Sequence, residues 1–123
     1  MMTKRNQDFE MHEGDSKDVE ITVTDPITGA PVDLTGATIS WVLKERASDA
    51  TALLTLSTGG GEIVLTDEDN GVFEVQLDPA DTAGLLSGNE LSKEYYHEAE
   101  ITTSGGDVAT VTTGKATIYR DGV

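Results

Sequence analysis

Apolar and polar residues alternate in short runs along most of the chain. In DVEITVT, Val19, Ile21 and Val23 fall on one side and Glu20, Thr22 and Thr24 on the other, the period of two that a half-buried strand requires. DFEMHE places Phe9 and Met11 in the same way, and Gly14-Asp15 separates the two runs as a turn. In ATISWVLK, Ile39, Trp41 and Leu43 oppose Thr38, Ser40 and Lys44, with Val42 predicting a partly covered outer side. VFEVQL points Phe73, Val75 and Leu77 inward against Glu74 and Gln76. KEYYHEAEIT sets Tyr95, His97, Ala99 and Ile101 against Tyr96, Glu98, Glu100 and Thr102. VATVTT and KATIYR follow, with Gly114 between them reading as a bulge or break.

The intervals carry turn chemistry. Pro26, Gly29 and Pro31 make DPITGAP a loop, Gly59-Gly60-Gly61 turns the chain into EIVLT, and SGGD reverses it before VATVTT. Asn70-Gly71 predicts a hairpin turn into VFEVQL, because this pair accommodates positive φ at little cost. ATALLTLS fits either a strand or a short helix, since periodicity alone does not separate them. DPADTAGLLSG is the one helical signal: Asp78 as N-cap, Pro79 at the first position, Asp81 in the first turn, and Gly84 or Gly88 as terminator. That segment has room for about two turns at most. Seven to nine short strands with turn signals roughly every 8–12 residues predict an all-β antiparallel sandwich. The 123 residues suit one domain, 1–123, with no internal repeat or linker.

Charge alters this picture more than any other compositional feature. Asp and Glu number 23 against 8 Lys and Arg, a net charge of −15. Phosphate binding needs a basic footprint, so nucleic acid is not expected as a direct partner. The acids run from Asp8 to Asp121, at turns and at the polar positions of strands, which describes an acidic surface on a folded body. Such an excess is similar to that of proteins from salt-loving organisms, where molar salt shortens the Debye length to about 3 Å and screens self-repulsion. The same composition also fits an ordinary acidic protein kept soluble by its charge. No apolar run reaches the roughly 18 residues of a membrane helix, and the start MMTKRNQDFEMHEGD lacks the apolar stretch of a signal peptide. The expectation is a chain with no membrane partner that stays soluble where it is made.

Candidate chemistry is sparse. With no cysteine there is no disulfide, thiolate metal site or cysteine nucleophile. The two histidines are His12 and His97; His97 alternates with core-facing Tyr95 and Ala99 and reads as a packed residue rather than a general base. Residues 67–71, DEDNG, gather carboxylates beside a glycine but lack the alternate-position ligands and downstream glutamate of a calcium loop. TGGGE and TTGKAT are glycine-rich without the strand-to-helix context of a phosphate loop. Trp41, at the centre of its strand, is expected in the core rather than on a sugar-stacking platform. The reading is a non-enzymatic protein with no catalytic, metal or cofactor-binding residues and no cofactor.

The order of these features resembles a known family. Gly29, Pro31, Val32, Asp33, Leu34, Thr35, Gly36, Ala37 and Trp41, followed by Asp78, Pro79, Asp81, Thr82, Leu85, Gly88 and Tyr95, are similar to the immunoglobulin-like domain of tailed-virus tail proteins. That domain is the type found at the N-terminus of phage baseplate upper proteins. The likeness spans roughly residues 9–119, with NELSKE lengthening the step between Gly88 and Tyr95. It implies an immunoglobulin-like antiparallel sandwich of about 7–9 strands with one short helix. Asp33 is then expected to form an Asx-turn and Leu34 to plug the end of the core.

The implied function is that of a structural component of a tailed virus, whether phage, archaeal virus or prophage, located in the virion after synthesis in the host cytoplasm. A tail or baseplate position is the first expectation. Capsid decoration, a turret or the head-tail neck is the alternative, and a cellular carbohydrate- or calcium-binding sandwich is the alternative from another class. Expected partners are other virion structural proteins and further copies of this chain in a homo-oligomer, with the terminal strands as contact elements. An acid excess tied to salt would make the host a halophile.

Overall fold

The computed structural model describes residues 5–25 and 27–122; Pro26, expected in a loop, lies outside the described residues. Nine strands form among them: β1 (Arg5–Asn6), β2 (Phe9–His12), β3 (Lys17–Thr22), β4 (Thr38–Lys44), β5 (Leu54–Ser57), β6 (Ile63–Asp67), β7 (Val72–Leu77), β8 (Ser92–Thr102) and β9 (Val108–Tyr119). A six-stranded sheet runs in the order β1-β9-β8-β4-β5, with β2 also on β9, and a three-stranded sheet runs β3-β7-β6. Placing β3, β6 and β7 in one layer and β4, β8 and β9 in the other is the partition of an immunoglobulin-like sandwich. The inner faces meet in one core: Ile21, Phe73 and Val75 from the smaller sheet, and Ile39, Trp41, Leu43, Ala99, Ile101 and Ile118 from the larger. Every inward position expected in β3, β4, β7 and β8 is buried.

Two landmarks of this fold stand on β4 and β8. Trp41 is wholly buried at the centre of β4. The Tyr95 hydroxyl donates to the Leu85 carbonyl at 2.6 Å, closing the corner that leads into β8, the tyrosine-corner device of immunoglobulin domains. Two residues further on, where antibody-type domains carry their second cysteine, stands His97.

The pairing is not purely antiparallel. Arg5 lies beside Thr112 and Phe9 to His12 beside Ala116 to Tyr119, with β1 and β2 both parallel to β9. The register is continuous across Gln7 and Asp8, so residues 5–12 form one interrupted edge strand. The chain leaves β2 for the other sheet, and the first and last strands become neighbours without a hairpin; no connection forces them to run oppositely.

The structure sharpens three local expectations and overturns a fourth. The second half of ATALLTLS, Leu54–Ser57, forms a strand, because pairing Leu56 with Trp41 and Leu54 with Leu43 buries Leu56 on the core side. The expected Asn70-Gly71 hairpin turn joins antiparallel β6 and β7, and its form is a 3-10 turn, Glu68–Asn70, closed by Gly71 at φ 74°. Leu34 N–H donates to the Glu68 carbonyl and Val23 N–H to the Gly71 carbonyl, which draws this turn under the loop between β3 and β4. The helix α1 (Pro79–Thr82) has a single turn, with Asp78 and Asp81 forming a capping box. It stops where Thr82 turns inward to accept the Gly14 N–H at 2.9 Å. Finally, Gly114 sits in regular register opposite His97, and the bulge falls at Thr110–Thr112 opposite Ala99-Glu100.

Gly114 has a different task. A Cβ there would overlap the Gln7 carbonyl and stand 2.8 Å from His97 Nε2. Only glycine lets the edge strand and the histidine approach β9 so closely. The lengthened NELSKE step is held in turn by Arg120, whose guanidinium donates to the carbonyls of Glu90 at 2.6 Å and Gly88 at 2.9 Å.

Candidate functional site

Each residue with candidate chemistry has a structural setting. His97 lies in the core between Trp41 and the edge strand. Indole N–H groups only donate, so the 3.1 Å contact from Trp41 Nε1 makes His97 Nδ1 an acceptor and puts the ring proton on Nε2. Nε2 then donates to the Gln7 carbonyl at 2.6 Å. Burial pushes the imidazole below the usual histidine range, opposed by the Gln7 carbonyl and the Asp8 carboxylate. His12 is exposed at the end of β2, its ring 5.6 Å from that of Tyr119. The alternation of the edge strand turns His12 to solvent while His97 on β8 faces the core, and the two do not meet.

The acidic turn at residues 67–71 is packed for structure. Asn70 Nδ2 donates to Asp67 Oδ2 at 3.0 Å, and a Cβ on Gly71 would stand 2.5 Å from the Val23 carbonyl. No group of three or more His, Cys, Asp or Glu side chains able to hold a metal ion occurs among the described residues. TGGGE forms a turn in which Gly60 N–H donates to Ser57 Oγ at 3.1 Å, and TTGKAT runs through β9.

The expected Asx-turn is present: Asp33 Oδ1 accepts from the Thr35 hydroxyl at 2.6 Å and its N–H at 2.9 Å. These bonds, the hydroxyl first, hold the carboxyl below the usual range. Leu34 beside it is buried at the end of the core.

The remaining features lie on surfaces. On the outer face of the larger sheet, Lys44, Tyr96 and Lys115 stand in one cross-strand row, with Val42, Glu98 and Thr113 in the next. The Tyr96 hydroxyl donates to Glu98 Oε1 at 2.7 Å, and partial burial, together with that carboxylate, pushes the phenol up to about 12. A shallow pit of about 250 Å³ opens here, lined by Ser40, Val42, Glu98 and Glu100 and rimmed by Ala50 and Ala52. A second, of about 370 Å³, lies over Asp8, Glu10, Glu94 and Lys115. On the smaller sheet Glu20 stands directly opposite Glu74. Exposed apolar side chains are separate along the chain: Ile27, Leu53, Val64, Leu91 and Val108.

Alternation located His97 as buried but missed its role as the hinge between indole and edge strand. The signal available was the spacing Tyr95-x-His97 after a central tryptophan, an immunoglobulin pattern with histidine in place of cysteine.

The solved structure of murine CRIg is similar to this chain over 98% of each, at 13% identity and a TM-score of 0.44. No family model matches the chain, and no curated protein matches it.

Proposed function

We propose that this chain is a non-enzymatic structural component of a tailed-virus particle, placed in the tail or baseplate, where it assembles through protein–protein contacts. The observation that supports this reading is the part played by the residues carrying the family resemblance. Asp33 forms its Asx-turn, Leu34 closes the core, Trp41 fills the centre, Asp78 and Asp81 cap α1, and Tyr95 closes the corner. All of them build a rigid scaffold, and none converges on a pocket.

What such a scaffold offers a neighbour is its outer faces and its strand edges. β5 and the N-terminal strand bound the larger sheet, and β3 and β6 bound the smaller one. An edge can extend a sheet in another molecule through main-chain hydrogen bonds. In a particle of many identical subunits, modest contacts repeated by symmetry add up to a durable assembly.

Immunogold electron microscopy of particles from the source culture, with antibody against this chain, tests the assignment. Label at the tail tip or baseplate is the expected result. Label over the head or neck keeps the class and moves the position to capsid decoration or connector. Unlabelled particles with antigen in the cell extract overturn the virion assignment.

A further inference from the structure

The edge strand, residues 5–12, pairs with β9 and with no other strand among those described; beyond that pairing, Gln7 Nε2 donates to the Glu20 carbonyl of β3 at 2.6 Å and Met11 is seated in the core. Its innermost backbone anchor is the Gln7 carbonyl. That oxygen accepts from His97 Nε2 at 2.6 Å across the gap left by Gly114. The Gln7 N–H donates to the Thr113 carbonyl at 2.6 Å, and Phe9 lies edge-on to the imidazole with ring centroids 5.0 Å apart. The same ring is fixed on its other side by the Trp41 indole N–H.

We propose that His97 is a proton-operated clamp: protonation of its Nδ1 releases the N-terminal strand from the edge of β9 while the rest of the sandwich stays closed. A proton on Nδ1 turns the acceptor of the Trp41 N–H into a donor, so two buried N–H groups face each other at 3.1 Å. One side must move. Trp41 is wholly buried on β4, which is paired on both sides by β5 and β8. His97 belongs to β8, between β4 and β9. The edge strand is paired on one side only, with Phe9 partly exposed and Met11 its one fully buried side chain among the described residues, so it yields before β4 or β8.

Around the ring, burial beneath the edge strand is the largest influence and disfavours the charged form. The edge strand supplies the Asp8 carboxylate, which favours the imidazolium. β4 and β9 present Trp41, Leu43 and Gly114 to it, none of them titratable. Asp8 and the Gln7 carbonyl thus hold the charged ring to the edge strand and oppose release, but the cost of burying the charge is the larger effect, and opening the strand to water relieves it. Release uncovers the β9 edge, a template for another strand.

Amide hydrogen exchange by NMR on the ¹⁵N-labelled chain between pH 8 and 4 tests the clamp. Protection is measured at Gln7 and Glu13, whose N–H groups donate to Thr113 and Tyr119, and in β4 and β8. Between the usual histidine range, where the exposed ring of the opened state titrates, and the lowered titration of the closed ring, protection at Gln7 and Glu13 is expected to fall about tenfold per pH unit, the linkage slope of one proton, and to level off below it. Protection in β4 and β8 should hold over the same range. Edge-strand protection that stays flat through the ring titration, or that disappears together with β4 and β8, overturns the proposal. His97→Gln keeps an acceptor and a donor without the titration, and its edge strand is expected to stay protected; an unchanged pH dependence in that variant also overturns it. If His97→Gln does not fold, the imidazole ¹⁵N shifts of the unmodified chain decide: a ring still neutral when the strand has opened refutes the clamp.

Discussion

β8 presents two unlike faces. Toward the core it shows Tyr95, His97, Ala99 and Ile101, none of them more than 3% exposed; toward solvent it shows Glu94, Tyr96, Glu98 and Glu100. On the inner face each polar atom has an assigned partner, Leu85 for the phenol and Trp41 and Gln7 for the imidazole. On the outer face carboxylates recur along the strand and are set mainly against water. Shape and hydrogen bonding therefore determine the inner face, and net charge the outer one. Substitutions should cost kilocalories on the first and tenths on the second.

The largest expected effect is at Trp41, where truncation to alanine removes the ring at the centre of the core and strips His97 Nδ1 of its donor. Trp41→Ala should cost about 3–5 kcal/mol in urea-unfolding free energy. An unchanged unfolding midpoint would erase the contrast between the faces. Next comes the corner: Tyr95→Phe keeps the ring and deletes one hydrogen bond, leaving the Leu85 carbonyl without it, for about 1 kcal/mol by the same titration. A loss as large as that of Trp41→Ala would mean that the corner organises the core rather than closing it.

The inner face was also the legible one. A period of two identifies which residues turn inward whatever the neighbouring strand turns out to be, and Val19, Ile39, Phe73 and Ile101 needed nothing more. Which strand pairs with which is a different kind of information. Nothing in DFEMHE announces a parallel partner at the other end of the chain. The need for glycine at position 114 arises from Gln7, which only the folded register brings near. ATALLTLS stayed ambiguous for the same reason, since Leu56 becomes inward only when β5 lies against β4. The outer surfaces carry even less: an acidic strand face has one composition whether it meets water or a neighbouring subunit. Fold was accordingly readable in detail, and the candidate contact surfaces only as the places left over.

A smaller effect should separate turn chemistry from packing. The Asp33 carboxyl is held low by the Thr35 hydroxyl and N–H. Because its folded pKa is depressed, its stabilisation is present above the unfolded value, near 3.9, and is lost as the pH falls through the folded one. Asp33→Asn should therefore lower the melting temperature at pH 7, and the difference from the unmodified chain should shrink toward pH 3. A difference that persists unchanged at pH 3 would assign the cost to the shape of the turn instead of its charge.

The smallest effect tests the outer face directly. Glu20 and Glu74 stand opposite one another across β3 and β7, and like charges so placed repel by a few tenths of a kcal/mol in dilute buffer. Glu20→Gln should accordingly stabilise the chain slightly at low ionic strength. Near 1 M potassium chloride the Debye length is about 3 Å, shorter than the spacing between opposed side chains, so that gain should vanish. The unmodified chain, with its net charge of −15, should gain melting temperature over the same range because the same screening acts across its whole surface. A Glu20→Gln gain that is equal at both salt concentrations would show that the residue acts by packing. A flat melting temperature in the unmodified chain would remove the link between its acidity and a saline host, and leave the charge as a device for solubility.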